Sequence, residues 1–261
     1  MIDIKQAKTE FKKFLKRYDN SELGFELKVV HTYHVMENAK KIAIKLNLAK
    51  EDIDLAELIG LLHDIGRFEE ITTLKRFDSV SFNHASYGVK MLFEDNLIRN
   101  FIADKSYDEI VKNAINNHNK FSIEKDLDEK SLLHSKIIRD ADKLDNFRVK
   151  KEENIEAIFP GKVKNKSDME NSTLSNEVYE SVKKKKCVDI HNRVTPLDYW
   201  VCVLAFIFDL NFKESYEIVK DNDYINVLID KFSYNDLETK RRMEDIRFIM
   251  NDYINEKIYS N

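Results

Sequence analysis

Leu61-Leu62-His63-Asp64-Ile65-Gly66-Arg67 sets an imidazole and a carboxylate side by side at the end of an apolar run. Ahead of it, Ile53, Leu55, Ala56, Leu58, Ile59, Leu61 and Leu62 leave almost no polar face, the pattern of a buried helix. A buried His and Asp cost free energy unless something satisfies them. Either they hydrogen-bond each other at a capped helix end, with Gly66 as its left-handed terminating residue, or they hold a cation. Imidazole beside carboxylate suits Mn, Fe, Co, Ni or Zn better than Ca.

Residues on either side add candidates of the same type. The stretch from Lys28 to Ala43 carries His31, Val35, Ala39 and Ile42 at helical spacing, so the four share one face. His34 is one turn away and competes with His31, although the apolar stripe aligns better with His31. Downstream, Asp140, Asp142 and Asp145 crowd into Arg139-Asp140-Ala141-Asp142-Lys143-Leu144-Asp145. On a helix Asp142 and Asp145 share a side with Ile138, and Asp140 points elsewhere.

With these residues the chain resembles the HD superfamily of metal-dependent phosphohydrolases, whose pattern is a His on a helix, a His-Asp pair and a late Asp. The resemblance runs from about Lys28 to Asp145, and His-Asp-Ile-Gly-Arg and Arg-Asp-Ala-Asp-Lys-Leu-Asp are its most specific pieces. It implies His31, His63, Asp64 and Asp142 as ligands of a first metal. Asp142 is chosen over Asp140 because the family's last ligand stands just before a basic residue, here Lys143. His84 and His118 occupy the places where binuclear branches carry extra ligands. They would bind a second metal, with Asp64 bridging. Arg67 stands where relatives carry a basic residue that meets substrate phosphate, a task that suits the guanidinium fork. Lys143 is a weaker phosphate candidate.

Cations in such a pocket acidify water and clamp phosphoryl oxygens, so no Ser or Cys nucleophile is needed. Asp64 is central to that chemistry. Asp145, or Asp140 if it turns inward, is eligible by type to orient the water or protonate the leaving oxygen. The resemblance admits one or two ions of Mn, Fe, Ni, Co, Zn or Mg.

Composition limits the architecture. With 5 Gly and 2 Pro in 261 residues, the tight turns of a sheet protein are scarce, and the fold should be all-α. Residues 1–150 read as the helical metal-binding domain, 151–194 as a polar, mobile insertion, and 195–261 as a helical extension packing on the first domain or forming a homodimer surface. The expected helices span 4–18, 28–47, 51–65, 84–94, 106–119, 129–148, 214–231 and 235–258. Between them Phe68 to Asn83 reads as a loop covering the site. Thr195, Pro196 and Asp198 are start signals for a core helix.

A net charge of −4 argues against a nucleic-acid surface. Lys183 to Lys186 is the one concentrated basic run and reads as solvated. There is no spanning-length apolar stretch and no secretory leader, so the expected location is cytoplasmic, with Cys187 and Cys202 as reduced thiols. His134 and His191 read as ordinary residues. The expected partner is a small phosphorylated substrate such as a nucleotide, without nucleic acid or membrane. Absence of a Gly-Tyr-Pro element disfavours cyclic dinucleotides. Beside the phosphohydrolase stand two other readings, a di-iron oxygenase of the same superfamily and a nucleotide-binding module without turnover.

Overall fold

A computed structural model describes residues 2–21, 24–74, 82–159 and 163–259, and among them the regular structure is helical with no strand. The chain divides into two compact units, Met1–Asp142 and Lys143–Asn261.

The first unit is organised around the His63-Asp64 pair. Helix α1 (Ile4–Leu15) starts at Asp3, whose side chain accepts from the Gln6 N–H at 2.9 Å, and buries Ala7, Phe11 and Phe14. Helix α2 (Phe25–Lys45) packs on α3 (Lys50–Leu62). The two approach closely at Gly60, where a Cβ would stand 2.6 Å from Met36 Cα. Helix α3 is buried from Asp54 to its end at Leu62, as its apolar run requires.

The expected helix over 51–65 is instead two. α3 ends at Leu62, the backbone turns at His63 and Asp64, and α4 (Ile65–Leu74) sets off again. The pair therefore sits at a junction, with the first turn of α4 beyond it. Gly66 is not a left-handed cap, because Gly24 is the positive-φ glycine among the described residues. Its role is room: a Cβ at Gly66 would lie 2.3 Å from His84 O and 2.8 Å from Gly88 N. Helix α5 (His84–Val89), started by the Asn83 side chain on the Ser86 N–H, crosses α4 at that point. It continues into one π-helical turn, Lys90–Glu94.

The expected loop from Phe68 is helical as far as Leu74. Phe68 and Ile71 are buried there, Phe68 among the rings of Phe11, Phe14, Tyr18 and Phe25. The rest of that loop, 75–81, lies outside the described residues. Helices α6 (Asp108–Asn117) and α7 (Glu129–Glu152) complete the set that carries the candidate ligands.

The second unit contains α8 (Ile155–Ile158), α9 (Lys166–Glu170), α10 (Asn176–Lys183), α11 (Pro196–Leu204), α12 (Lys213–Asp221), α13 (Tyr224–Ile229) and α14 (Leu237–Tyr259). The polar stretch after residue 162 contributes to the core of this unit. Val163, Met169, Leu174 and Val178 are buried, and Leu174 N–H donates to Thr239 Oγ1 on α14 at 3.2 Å. Thr195 and Asp198 form a capping box at α11, and Trp200 donates to Leu228 O at 3.1 Å. Asp223, left-handed at φ 51°, splits the expected helix over 214–231 into α12 and α13. Among the described residues no helix is long and apolar enough to cross a membrane.

Candidate metal centre

Helices α2 to α7 bring the predicted ligands to one place. His31 comes from the exit of the second turn of α2, His63 and Asp64 from the α3–α4 junction, His84 from the first residue of α5, His118 from the end of α6, and Asp142 from α7. His31, His63, Asp64, His84 and His118 are all buried.

The Asp64 carboxylate is the centre, and its two oxygens face different imidazoles. Oδ2 lies 3.3 Å from His63 Nε2 and 3.7 Å from His31 Nε2, and His31 Nε2 in turn lies 3.2 Å from Asp142 Oδ1. Oδ1 lies 3.3 Å from His84 Nε2 and 3.4 Å from His118 Nε2. His84 and His118 approach each other at 3.1 Å through the same atoms. Donors about 2.0–2.2 Å from one shared cation stand about 3.0–3.5 Å from one another, the range of every pair here except His31 Nε2 and Asp64 Oδ2. The donor atoms of His31, His63 and Asp142, and those of His63, Asp64 and His118, each fall within 4.8 Å of one another.

Hydrogen bonds fix the tautomers. His63 Nδ1 meets Gly60 O at 2.8 Å, and His118 Nδ1 meets Ile115 O at 2.7 Å. A carbonyl only accepts, so each Nδ1 carries a proton and each ring turns Nε2 toward Asp64, as a metal-binding imidazole does. Among the described residues His63 Nε2 and Asp64 Oδ1 have no hydrogen-bond partner. Polar atoms buried in this way need a ligand to satisfy them. The donor set therefore fits divalent cations.

The electrostatics agree. Burial holds the pKa values of His63 and His84 below the ordinary histidine value, Arg67 adding to the effect at His84. Both rings are neutral near pH 7 and ready to donate. Burial pushes the Asp64 carboxyl up, but the charge of Lys28 and the imidazoles outweigh it and hold the group well below the usual range. An ionised Asp and neutral His residues are the protonation states that metal binding demands.

Of the alternatives left open by the sequence, His31 and Asp142 stand in the cluster. Arg67 lies beside it, its Nε 3.7 Å from Asp64 Oδ1 and its Nη1 2.6 Å from Glu70 Oε2. The remaining two candidates belong to the second unit and have partners there. Asp145 accepts from both Nε and Nη2 of Arg148, at 2.6 and 3.1 Å. Lys143 Nζ pairs with Asp209 Oδ2 at 2.8 Å.

Sequence reasoning missed Lys28, whose ammonium pairs with Asp64 Oδ2. It precedes His31 by three residues and so shares its face; that spacing was the available signal, hidden among 43 Lys and Arg. It also missed Asn119, whose Nδ2 reaches His84 Nε2 at 3.4 Å. Outside the cluster, buried His134 faces Asp52 Oδ1 at 3.3 Å, an oxygen shared with Lys130 Nζ at 3.1 Å.

The family description "HD domain" matches residues 29–146, a segment that includes every residue of the cluster. The chain carries an HD domain. The match agrees with the helical fold of that segment and spans the positions of His31, His63, Asp64 and Asp142. No curated protein and no solved structure matches the chain.

Proposed function

We propose that this HD domain is a metal-dependent phosphohydrolase with a two-metal centre, acting on a phosphomonoester, phosphodiester or nucleotide. The observation that carries the reading is the division of Asp64, with Oδ2 toward His31 and His63 and Oδ1 toward His84 and His118. A carboxylate so placed could serve one cation with each oxygen. His31, His63, Asp64 and Asp142 would hold the first, and His84, His118 and Asp64 the second. Bound there, the ions supply Lewis acidity toward a phosphoryl group and lower the pKa of water.

The chain's own residues supply the rest. Burial keeps His63 and His84 neutral, and the Gly60 and Ile115 carbonyls keep His63 and His118 turned inward. Glu70 orients the Arg67 guanidinium beside Asp64, and the Lys28 ammonium stands on the opposite oxygen. Two cationic side chains against a ligand carboxylate favour an anionic substrate, and the guanidinium plane suits a phosphate. This supports phosphoryl transfer over the oxygenase and non-catalytic readings. Asp145 and Lys143 have no part in the proposal, because each is matched to a charged partner in the second unit.

The test is phosphate release from a panel of nucleotides and sugar phosphates after reconstitution with Mn or Fe, with oxygen uptake followed in parallel. Metal-dependent phosphate release from wild type, lost in His84→Ala and His118→Ala together with one metal per chain, is the expected result. Oxygen uptake by the iron form without phosphate release on any substrate overturns it in favour of an oxygenase.

A further inference from the structure

His118 is the last ring of a short helix. An imidazole at a helix terminus is only as well placed as the last turn that carries it. The carbonyls of that turn have no partner within the helix, so they need one from elsewhere or the turn frays. In α6 the His118 ring itself takes one of them, Nδ1 donating to Ile115 O. Asn117 closes the following loop, its Oδ1 accepting from Glu124 N–H at 2.9 Å and its Nδ2 donating to Asn113 O at 2.9 Å. The last helix carbonyl, Asn117 O, and two of the loop that follows, Lys120 O and Phe121 O, converge on a single side chain.

That side chain is Arg139, buried on α7. Nη1 donates to Asn117 O at 2.8 Å and to Lys120 O at 2.5 Å, and Nη2 reaches Phe121 O at 3.4 Å. A guanidinium at a helix C-terminus both satisfies orphan carbonyls and meets the negative end of the helix dipole. Arg139 also precedes Asp142 by three residues on α7, so the two rise from neighbouring positions of one helix face. Helix α7 thus gives Asp142 to the Oδ2 side of Asp64 and grips the backbone on either side of His118, which serves the Oδ1 side.

We infer that Arg139 is a positioning residue for the second metal: it fixes the end of α6 so that His118 Nε2 meets Asp64 Oδ1. The inference rests on the two-metal reading of the previous subsection. Loosening the clamp lets the His118 ring swing with its turn, weakening the second ion and sparing the first, whose ligands lie on α2, α7 and the α3–α4 junction. Partners that orient a metal ligand from behind are commonly worth tenfold to a hundredfold in metal affinity.

The experiment is a stepwise Mn(II) titration of the full chain without substrate, read by calorimetry and by the spin-coupled resonance signal of a Mn pair. Wild type should take two ions. Arg139→Gln should keep first-site affinity, lose the coupled signal and bind the second ion at least about tenfold more weakly. Arg139→Lys, which keeps the charge but not the fork, should fall between and carries the test if the Gln variant does not fold. A merely structural role would weaken both sites together or neither. Equal weakening of the two sites, or an unchanged second site in Arg139→Lys and Arg139→Gln, overturns the inference while leaving the two-metal reading intact. A single ion in wild type overturns that reading itself, and this inference with it.

Discussion

Replacing Gly66 by Ala adds one methyl group, and the structure fixes where it goes. The new Cβ would lie 2.3 Å from His84 O and 2.8 Å from Gly88 N, whereas ordinary contact begins at 3.4 Å. Both neighbours are backbone of α5, so no side chain can swing aside. Helix α5 has to retreat by about 1 Å, at a cost of about 1–3 kcal/mol for overpacking. His84 is the first residue of α5 and moves with it. Metal–ligand distances tolerate about 0.2 Å, so a shift of that size takes His84 out of reach of a cation also held by His118 and Asp64. Gly66→Ala should therefore lose stability and, beyond that, lose the second metal selectively, with the first retained. Urea unfolding of the metal-free protein reads the first effect, and metal analysis after gel filtration reads the second. A variant with wild-type stability and two metals would refute the argument that Gly66 is there to admit α5.

Other perturbations separate substrate binding, pH response and the second unit. Arg67→Lys keeps a positive charge but not the bidentate fork, and should raise KM for phosphorylated substrates about tenfold with metal content unchanged; an unaltered KM on every active substrate removes Arg67 from phosphate binding. His134 has its pKa lowered by burial, which the hydrogen bond to Asp52 offsets only in part. Its unfolded form takes up a proton first, so its neutral state contributes stability that is present above about pH 6.5 and lost as pH falls through the depressed folded value. His134→Gln should flatten the melting temperature against pH below that point, and parallel curves for the two proteins would contradict this. Asp198 accepts from the N–H groups of Ser175, Val194 and Thr195. Asp198→Ala should cost about 2–4 kcal/mol in thermal unfolding with metal content unaltered, and a loss of metal would show the second unit to be required for the centre.

The core of the site was legible because its chemistry is local. His63 and Asp64 are adjacent, His31 is placed by the stripe of its own helix, and Thr195 with Asp198 spells a cap within four residues. Features that depend on what another helix does were not. Gly66 after an apolar helix reads as a terminator, and only the passage of α5 shows that it provides space. Asn117, next to His118, is buried because its amide stitches Asn113 to Glu124, a pairing that spacing does not encode. Arg139 carries no sign of its role, since backbone carbonyls as partners leave no mark in sequence. The stretch 151–194 reads as an insertion because after residue 162 its few apolar residues, Val163, Met169 and Leu174, are outnumbered by Lys, Asn and Ser, although those few are the ones buried.

The central claim is that Asp64 bridges two cations. Its most direct measurement is elemental analysis of the protein purified without chelator and then reconstituted with Mn or Fe, for wild type and Asp64→Ala side by side. The account predicts two ions per chain in wild type and loss of the metal centre in Asp64→Ala, with helical content by circular dichroism unchanged. Asp64→Ala that keeps the wild-type metal complement would contradict it.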